Sequence, residues 1–218
     1  MASYLGKQLR DRFGKGPESV YVSSDSCFVT LHIRNFLGPV EKFLLSKQEE
    51  KAFRYTRELL MKSLLPELSD SIRETLGLEV EELYYDWGIY NSSGVIVGVA
   101  KGSDWVTQFP DYKGKKELHE QINRVSAEVQ KWPEMTNSYW MNPRTLIVMR
   151  RGILIKIEKE LISLGFEEDL KITKRKLEKR HLAEETAVGE LFGKTVSDIY
   201  VDWDFSLDTS AIVYTFQD

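Results

Sequence analysis

The sequence predicts an α+β fold built from two tandem repeats, because two segments occur twice in the same order. Residues 31–44 align with residues 148–161 and share an arginine, two leucines, a glutamate and a lysine. Residues 77–87 align with residues 193–203 and share the pattern Gly-x-x-Val-x-x-x-Tyr-x-Asp-Trp. The spacing between the two segments is one residue shorter in the second copy. Repetition in order at this spacing indicates a duplicated unit.

The duplication predicts two domains of ordinary size, with repeat 1 over residues 1–106, a linker over 107–114 and repeat 2 over 115–218. Pro110 and Gly114 favour a loop at this boundary. A fused duplicate resembles a homodimer, so we expect an approximate two-fold relation between the repeats. A homodimer of the whole chain is a further expectation.

Each repeat is predicted to run helix, strand, strand, helix pair, strand, strand. Leu5, Leu9 and Phe13 are spaced by four and share one helical face, and Gly14 ends that helix. Strands are expected over 20–24 and 27–33. Alternation assigns one set of the second strand's residues to the core, namely Cys27, Val29, Leu31 and Ile33.

A short helix is predicted to begin near Pro39, and a long helix to begin near Ser46 and end at Gly77. Pro66 should kink or split this long helix. The second copy, over 167–192, has no proline and should be straighter.

The last strand pair of repeat 1 is expected over 80–87 and 95–100, and that of repeat 2 over 196–203 and 211–216. The first helix of repeat 2 is expected over 118–131. Antiparallel strands with helices on one face define the α+β class. Trp87 and Trp203 are the best candidates for equivalent core positions.

Composition favours a cytoplasmic protein without nucleic-acid partners. The net charge of −4 is divided evenly between the two halves, so neither half is basic enough to bind nucleic acid. A single cysteine, Cys27, suits a reducing compartment. We find no signal-peptide pattern, and the longest apolar runs have the length of a strand. We therefore expect a cytoplasmic location, with docking to the inner face of the membrane possible.

The first repeat resembles the MpsC-like family of bacterial domains, named for a sodium-translocating, membrane-potential-generating system. The ordered motifs that carry the resemblance are Phe13-Gly14-Lys15-Gly16-Pro17-Glu18-Ser19-Val20, then Leu37, Glu41 and Leu44, then Arg57, then Gly77-x-x-Val80. Repeat 2 retains Pro133, Glu158, Leu161, Gly193 and Val196 but lacks the Gly-Lys-Gly turn, and it has Lys174 and Arg175 near the position of Arg57. The resemblance implies an accessory role and supplies no catalytic residues.

An acid–Tyr–acid stripe on the outward face of the third strand of each repeat is the best candidate site. The stripes consist of Glu82, Tyr84 and Asp86, and of Asp198, Tyr200 and Asp202. Such a stripe suits a cation or a basic partner surface. The structural alternative, which we favour, is cross-strand pairing of Asp86 with Arg34 and of Asp202 with Arg151.

A basic stretch on the long helix of repeat 2 is the second candidate. Its cations are Lys171, Lys174, Arg175 and Arg180, together with Lys176 and Lys179. Helical spacing favours a solvated face with ion pairs, and the alternative is a surface for an acidic protein or anionic lipid. His181 lies among Glu178, Glu184 and Glu185, but a lone histidine makes a poor zinc site. We therefore predict no metal and no cofactor.

Catalytic motifs do not emerge. Gly14-Lys15-Gly16-Pro17 follows a helix, unlike a phosphate-binding loop, and Cys27 and His32 point to opposite faces of one strand. The leading prediction is a non-enzymatic accessory or regulatory protein that binds a protein partner, in connection with an ion-translocating system. The alternative is a small-ligand or cation-sensing domain that uses the stripes or a cleft between the repeats.

Overall fold

The computed structural model describes residues 1–103, 105 and 109–217. The chain divides into two compact units, Met1–Ser103 and Asp104–Asp218. Positions 106–108 of the predicted boundary lie outside the described residues. The α+β class is confirmed, because each unit contains a four-stranded antiparallel sheet with helices.

The two units repeat the same order of elements, except that unit 2 has two helices, α6 and α7, where unit 1 has one, α3. Unit 1 contains α1 Ala2–Phe13, β1 Ser19–Ser24, β2 Phe28–Arg34, α2 Pro39–Ser46, α3 Glu50–Leu76, β3 Val80–Gly88 and β4 Ser93–Ala100. Unit 2 contains α4 Lys115–Val129, β5 Met135–Asn142, β6 Thr145–Arg151, α5 Lys156–Ser163, α6 Glu167–Glu185, α7 Val188–Phe192, β7 Val196–Asp204 and β8 Thr209–Phe216. The strand orders are β1-β2-β4-β3 and β5-β6-β8-β7, with β4 and β8 central.

The core of each unit lies between the helices and one face of its sheet. In unit 1, Leu5 and Leu9 of α1 pack with leucines of α3 and with Trp87, which is 3% exposed. Trp203 is 3% exposed in the corresponding core of unit 2. Both predicted tryptophan positions are therefore confirmed. Cys27 is the exception to the predicted core set, because it precedes β2, is half-buried and lies outside the cluster.

The sheet face that points away from the helices is buried as well. Every residue of β4 and of β8 is buried, so the side chains on both faces of these strands are withdrawn from water. Phe28 and Thr30, which alternate with the core residues of β2, are also buried. This finding changes the interpretation of the stripes predicted on the outward face.

The long helices differ from the predictions in an instructive way. α3 begins at Glu50 rather than near Ser46, whose hydroxyl donates to the Phe43 carbonyl within α2. Pro66 does not split α3, which runs for 27 residues. The proline-free copy is the broken one, because Thr186 adopts an extended conformation between α6 and α7. A one-residue deletion in a continuous helix would rotate all later residues by about 100°, and the break absorbs that rotation.

The turns of the two units share their backbone conformation even where their residues differ. Gln48 and Gly165 both have positive φ, at 62° and 84°. In each case the next amide closes the same hydrogen bond to a leucine carbonyl, that of Leu44 or Leu161, at 2.9 Å. Asn35 and Gly152 form a second such pair. The repeated backbone supports descent of both units from one ancestral unit.

Gln48 stores removable backbone strain. We expect Gln48→Gly to raise the free energy of unfolding by about 0.5–1 kcal/mol, because relief of the left-handed strain outweighs the added entropy of the unfolded chain. Gly165→Gln should lower the free energy of unfolding by a similar amount, because φ is also positive there, at 84°. Open space around this position means that the new side chain adds no steric clash to the backbone strain. Urea denaturation measures both changes. Gln48→Ala, which keeps a Cβ, should stay near the wild type, and a stabilisation equal to that of glycine would contradict the strain.

Candidate functional site

A buried glutamate at the start of α2 joins three parts of unit 1. Glu41 accepts a hydrogen bond from the Gly38 amide at 2.7 Å, which caps the helix. The Arg57 guanidinium of α3 donates to both Glu41 oxygens, from Nε at 2.6 Å and from Nη2 at 2.9 Å. Arg57 Nη2 also donates to the Phe36 carbonyl at 2.7 Å. The pair therefore fixes α2 against α3 and against the loop that precedes α2.

Aromatic rings surround the Arg57 guanidinium. Its carbon lies 4.2 Å from the ring centroid of Trp87, 4.8 Å from that of Phe53 and 4.9 Å from that of Phe36. Burial lowers the pKa of Arg57, and Glu41 opposes this shift. Because arginine remains charged in proteins, Arg57 and Glu41 form a buried ion pair whose guanidinium is in contact with aromatic rings.

Unit 2 repeats this arrangement with a lysine. Lys174 Nζ donates to Glu158 Oε1 at 2.6 Å, and the Ile155 amide donates to Glu158 Oε2 at 3.0 Å. The Gln130 side chain donates to both Glu158 oxygens at 3.0 Å. The Lys174 ammonium lies 5.0 Å from the ring centroid of Trp203. Burial lowers the pKa of Lys174, with Glu158 acting in the opposite direction.

These ion pairs determine which side of the short helix faces water. With Glu41 turned inward, Val40 is 72% exposed and Phe43 is 60% exposed. Residues three apart on a helix are neighbours, so the two side chains form one apolar spot. Lys42 and Lys47 are exposed beside them, and the Lys47 ammonium lies 5.7 Å from the Phe43 ring centroid. We call Val40, Lys42, Phe43 and Lys47 the α2 face.

The predicted acid–Tyr–acid stripes do not face solvent. Tyr84, Asp86 and Tyr200 are each 1% exposed and Asp202 is 2% exposed, so the expectation of an open stripe is wrong for these four residues. Only the end members, Glu82 and Asp198, are half-buried. The physical reason is the burial of the second sheet face. The alternation itself is as predicted, since Trp87 and Trp203 point to the helices.

The predicted arginine partners of the stripes occupy other rows of the sheet. Arg34 lies opposite Ser19 at the end of β2 and is exposed. Arg151 lies opposite Thr209, in the row of Asp204 rather than Asp202. The Arg151 guanidinium instead lies 5.0 Å from the ring centroid of Trp105. The predicted Arg151–Asp202 pair is therefore wrong.

Three of the four cations of the predicted basic partner face are used inside unit 2. Lys174 is buried against Glu158, and Arg175 donates to Asp202 at 2.7 Å and to the Val201 carbonyl at 3.2 Å. Lys171 also contacts Asp202, at 2.9 Å. Arg180 alone of the four is exposed. The prediction of a solvated basic face is corrected because this side of α6 lies along β7, the edge strand.

A buried ion pair in the core of unit 2 was not predicted. Arg150 of β6 contacts Glu178 of α6, and the two side chains are 0% and 2% exposed. Arg150 also donates to the hydroxyls of Ser210 and Ser126 at 2.9 and 2.8 Å. Unit 1 has Ile33 and Met61 at the positions of Arg150 and Glu178, and both are core residues. The alignment of the two repeats carries the signal that could have indicated this pair, because it sets a charged residue of repeat 2 against an apolar residue of repeat 1 at both positions.

A serine–histidine contact is present in unit 2 but is closed to substrate. The His119 ring is hydrogen-bonded through Nε2 to Ser138 Oγ at 2.7 Å, and Ser138 also contacts the Tyr112 hydroxyl. Ser138 is 0% exposed, so its hydroxyl is not presented to solvent. Burial, with a smaller effect of Lys115, lowers the pKa of His119 to about 4. Burial raises the pKa of Tyr112 to about 12.

The acids near His181 differ from those that its sequence neighbourhood indicated. Glu178 is buried against Arg150, and Glu184 is exposed. Glu185 contacts His181, and Glu128 arrives from α4. A hydrogen bond between the two carboxyl groups raises the pKa of Glu128 and lowers that of Glu185.

The fold and the buried glutamate pairs define a small α+β domain that occurs twice in the chain. Residues 1–101 match the family described as "Na+-translocating membrane potential-generating system (MpsC)". This match confirms the resemblance to the MpsC-like family that the motifs of the first repeat predicted. No curated protein and no solved structure matches the chain. Among the described residues, no helix is long and apolar enough to cross a membrane.

The buried pair of unit 1 can be tested by truncation. Glu41→Ala should lower the free energy of unfolding by about 3–5 kcal/mol, because it leaves the Arg57 charge buried without a carboxylate. Glu67→Ala removes the exposed partner of Arg12, whose pair is half open to water, and should cost about 0–1 kcal/mol. Chemical denaturation measures the free energy of unfolding of both variants. Equal losses of stability in Glu41→Ala and Glu67→Ala would contradict the view that the buried pair stabilises the fold more than the exposed pair does.

His119 gives unit 2 a pH dependence in mildly acidic solution. Its pKa is about 4 in the folded chain and about 6.5 when unfolded. Between these values the unfolded chain binds more protons, so stability falls as the pH is lowered from about 6.5 to about 4. We expect a loss of about 1–2 kcal/mol, reduced from the full shift because the ring is only half-buried.

Thermal unfolding across this pH range measures the loss, and NMR titration of the ring measures the pKa directly. His119→Gln keeps a hydrogen-bonding group and should flatten the profile between these pH values. A ring that titrates near 6.5 in the folded protein would contradict the prediction.

Proposed function

We propose that this protein is a non-enzymatic accessory component of a membrane-potential-generating system, and that it binds a protein partner through the α2 face of its MpsC unit. The observation that carries the proposal is the exposure of Val40 and Phe43 beside two lysines on a helix held rigidly by Glu41 and Arg57. The family description supplies the link to sodium translocation and to the membrane. We place the protein at the cytoplasmic side of that membrane.

The fold turns positions 40 and 43 of α2 toward water, but it does not require apolar side chains at those positions. A single exposed apolar side chain is common on protein surfaces, but two adjacent ones at 72% and 60% exposure place apolar area in water without benefit to stability. The Glu41–Arg57 pair prevents α2 from rotating to bury them. Such a surface is stabilised when a partner covers it.

The short helix of unit 2 keeps one of the two exposed apolar positions, and Glu160 stands at the position of Phe43. Ile157 occupies the position of Val40 and is 61% exposed, and Leu164, which caps the C-terminus of the helix, is 63% exposed. Glu158, next to Ile157, is turned inward as Glu41 is. Retention of an exposed branched residue at equivalent positions supports use of this helix for recognition in both units.

The charges on the α2 face indicate the chemistry of the partner. Lys42 and Lys47 flank Phe43, and the inward turn of Glu41 removes the nearest negative charge of α2 from the surface. A short helix that presents apolar anchors fits an apolar groove. We therefore propose a protein groove with an acidic rim, which would speed association with the lysines and fix the register.

Crosslinking from the α2 face and substitution of Phe43 test the proposal. We suggest site-specific photocrosslinking in native cells from position 43, with position 59 as control, because Leu59 of α3 is also exposed, at 48%. A discrete protein adduct should form from position 43 and not from position 59. With that protein purified, Phe43→Glu should weaken binding about 30-fold or more, as loss of an anchor does, whereas Leu59→Glu should have little effect.

Two results would overturn the proposal. One is equal binding by the Phe43→Glu and wild-type proteins. The other combines two observations: no protein adduct forms, and the wild type sediments with anionic lipid vesicles whereas the Phe43→Glu variant does not. The second result would show that the α2 face binds the lipid surface and not a protein.

The Lys42→Ala variant should mainly associate more slowly with the protein partner, and its association rate should depend less on salt concentration.

A further inference from the structure

Packing of α4 against α6 brings together three side chains that can ligate a metal. Glu128 comes from the last turn of α4, and His181 and Glu185 lie four residues apart on one face of α6. One nitrogen or oxygen atom from each residue lies within 4.8 Å of those of the other two. Two ligand atoms that each lie about 2.0–2.2 Å from one ion are at most about 4.4 Å apart, so side-chain rotations that bring the three atoms closer complete the site.

The backbone positions of this group are fixed by the core rather than by attraction among its members. Val125, one turn before Glu128, and Leu182, next to His181, both belong to the apolar core of unit 2. Packing therefore holds two carboxylates next to each other. Two carboxylates in contact repel unless a proton or a cation lies between them, and a bound metal ion takes the place of the proton that these two groups share.

The group is particular to unit 2. Counted from the first residue of each long helix, Leu64 and Leu68 of α3 stand at the positions of His181 and Glu185. Both leucines are fully buried in the core of unit 1. The second unit thus has an imidazole and a carboxylate where the first has two core leucines, and it places Glu128 beside them. Three independent positions supply ligand types at one point.

We propose that Glu128, His181 and Glu185 form a binding site for a divalent transition-metal ion, in which Glu128 of α4 supplies a ligand that the sequence around His181 does not offer. One imidazole nitrogen and two carboxylate oxygens are a donor set that suits Zn²⁺ and related ions. Three protein ligands leave at least one position for water. Since Glu128 and Glu185 are exposed and His181 is half-buried, the ion exchanges with solvent. The ion joins α4 to α6, and the site does not depend on the α2 face.

The test is titration of tag-free, full-length Cys27→Ser protein with ZnCl₂ by calorimetry, and with Co²⁺ by visible absorption. The Cys27→Ser background removes the only thiol of the chain. We expect one strong site, and a rise in melting temperature with ion concentration by mass action. Glu128→Gln and His181→Gln should each weaken binding by about tenfold or more. Co²⁺ should report the loss of the imidazole ligand in its spectrum.

The controls are Glu184→Gln, an exposed acid of α6 outside the group, and His119→Gln, a second histidine of unit 2. Both should bind Zn²⁺ as the parent does. The proposal is overturned if the parent binds no ion, if Glu128→Gln binds as tightly as the parent, or if Glu184→Gln loses affinity to the same extent. Circular dichroism establishes that each variant is folded before it is compared.

Discussion

A buried carboxylate at the first turn of the short helix is the constraint on which each unit depends. Burial of a charge is costly unless the charge is paired and hydrogen-bonded. Glu41 meets both conditions through the Gly38 amide and the Arg57 guanidinium, and Glu158 meets them through Ile155, Gln130 and Lys174. The short helix, the long helix and the core tryptophan are thereby held in one arrangement.

The same constraint explains why the candidate surface lies where it does. An inward acid on a helix of eight residues leaves few positions for core contacts, so the neighbouring side chains Val40 and Phe43 point outward. In unit 2, three basic residues of α6, Lys171, Lys174 and Arg175, are paired with Glu158 and Asp202. The proposed recognition surface therefore lies on the α2 face of unit 1 rather than on α6, where the sequence suggested it.

The two units have diverged most in their use of charge. Where unit 1 has Ile33 and Met61 in its core, unit 2 buries Arg150 with Glu178, and two serine hydroxyls accept hydrogen bonds from Arg150 Nε and Nη1. Replacement of apolar packing by an ion pair contributes little to stability. The change therefore distinguishes the core of unit 2 from that of unit 1, and the group of Glu128, His181 and Glu185 is a second feature particular to unit 2.

The sequence by itself determined the order of elements, the antiparallel strands, the core tryptophans and the family of the first unit, because these follow from local periodicity and ordered motifs. The tertiary structure alone decided which charges are buried. It places Asp86 and Asp202 out of contact with solvent, and it places the Arg151 guanidinium next to Trp105 instead of the predicted partner Asp202. It also brought Glu128 to His181 from another helix. Burial and long-range pairing depend on how elements pack, and residue spacing along one strand or helix carries no record of what covers it.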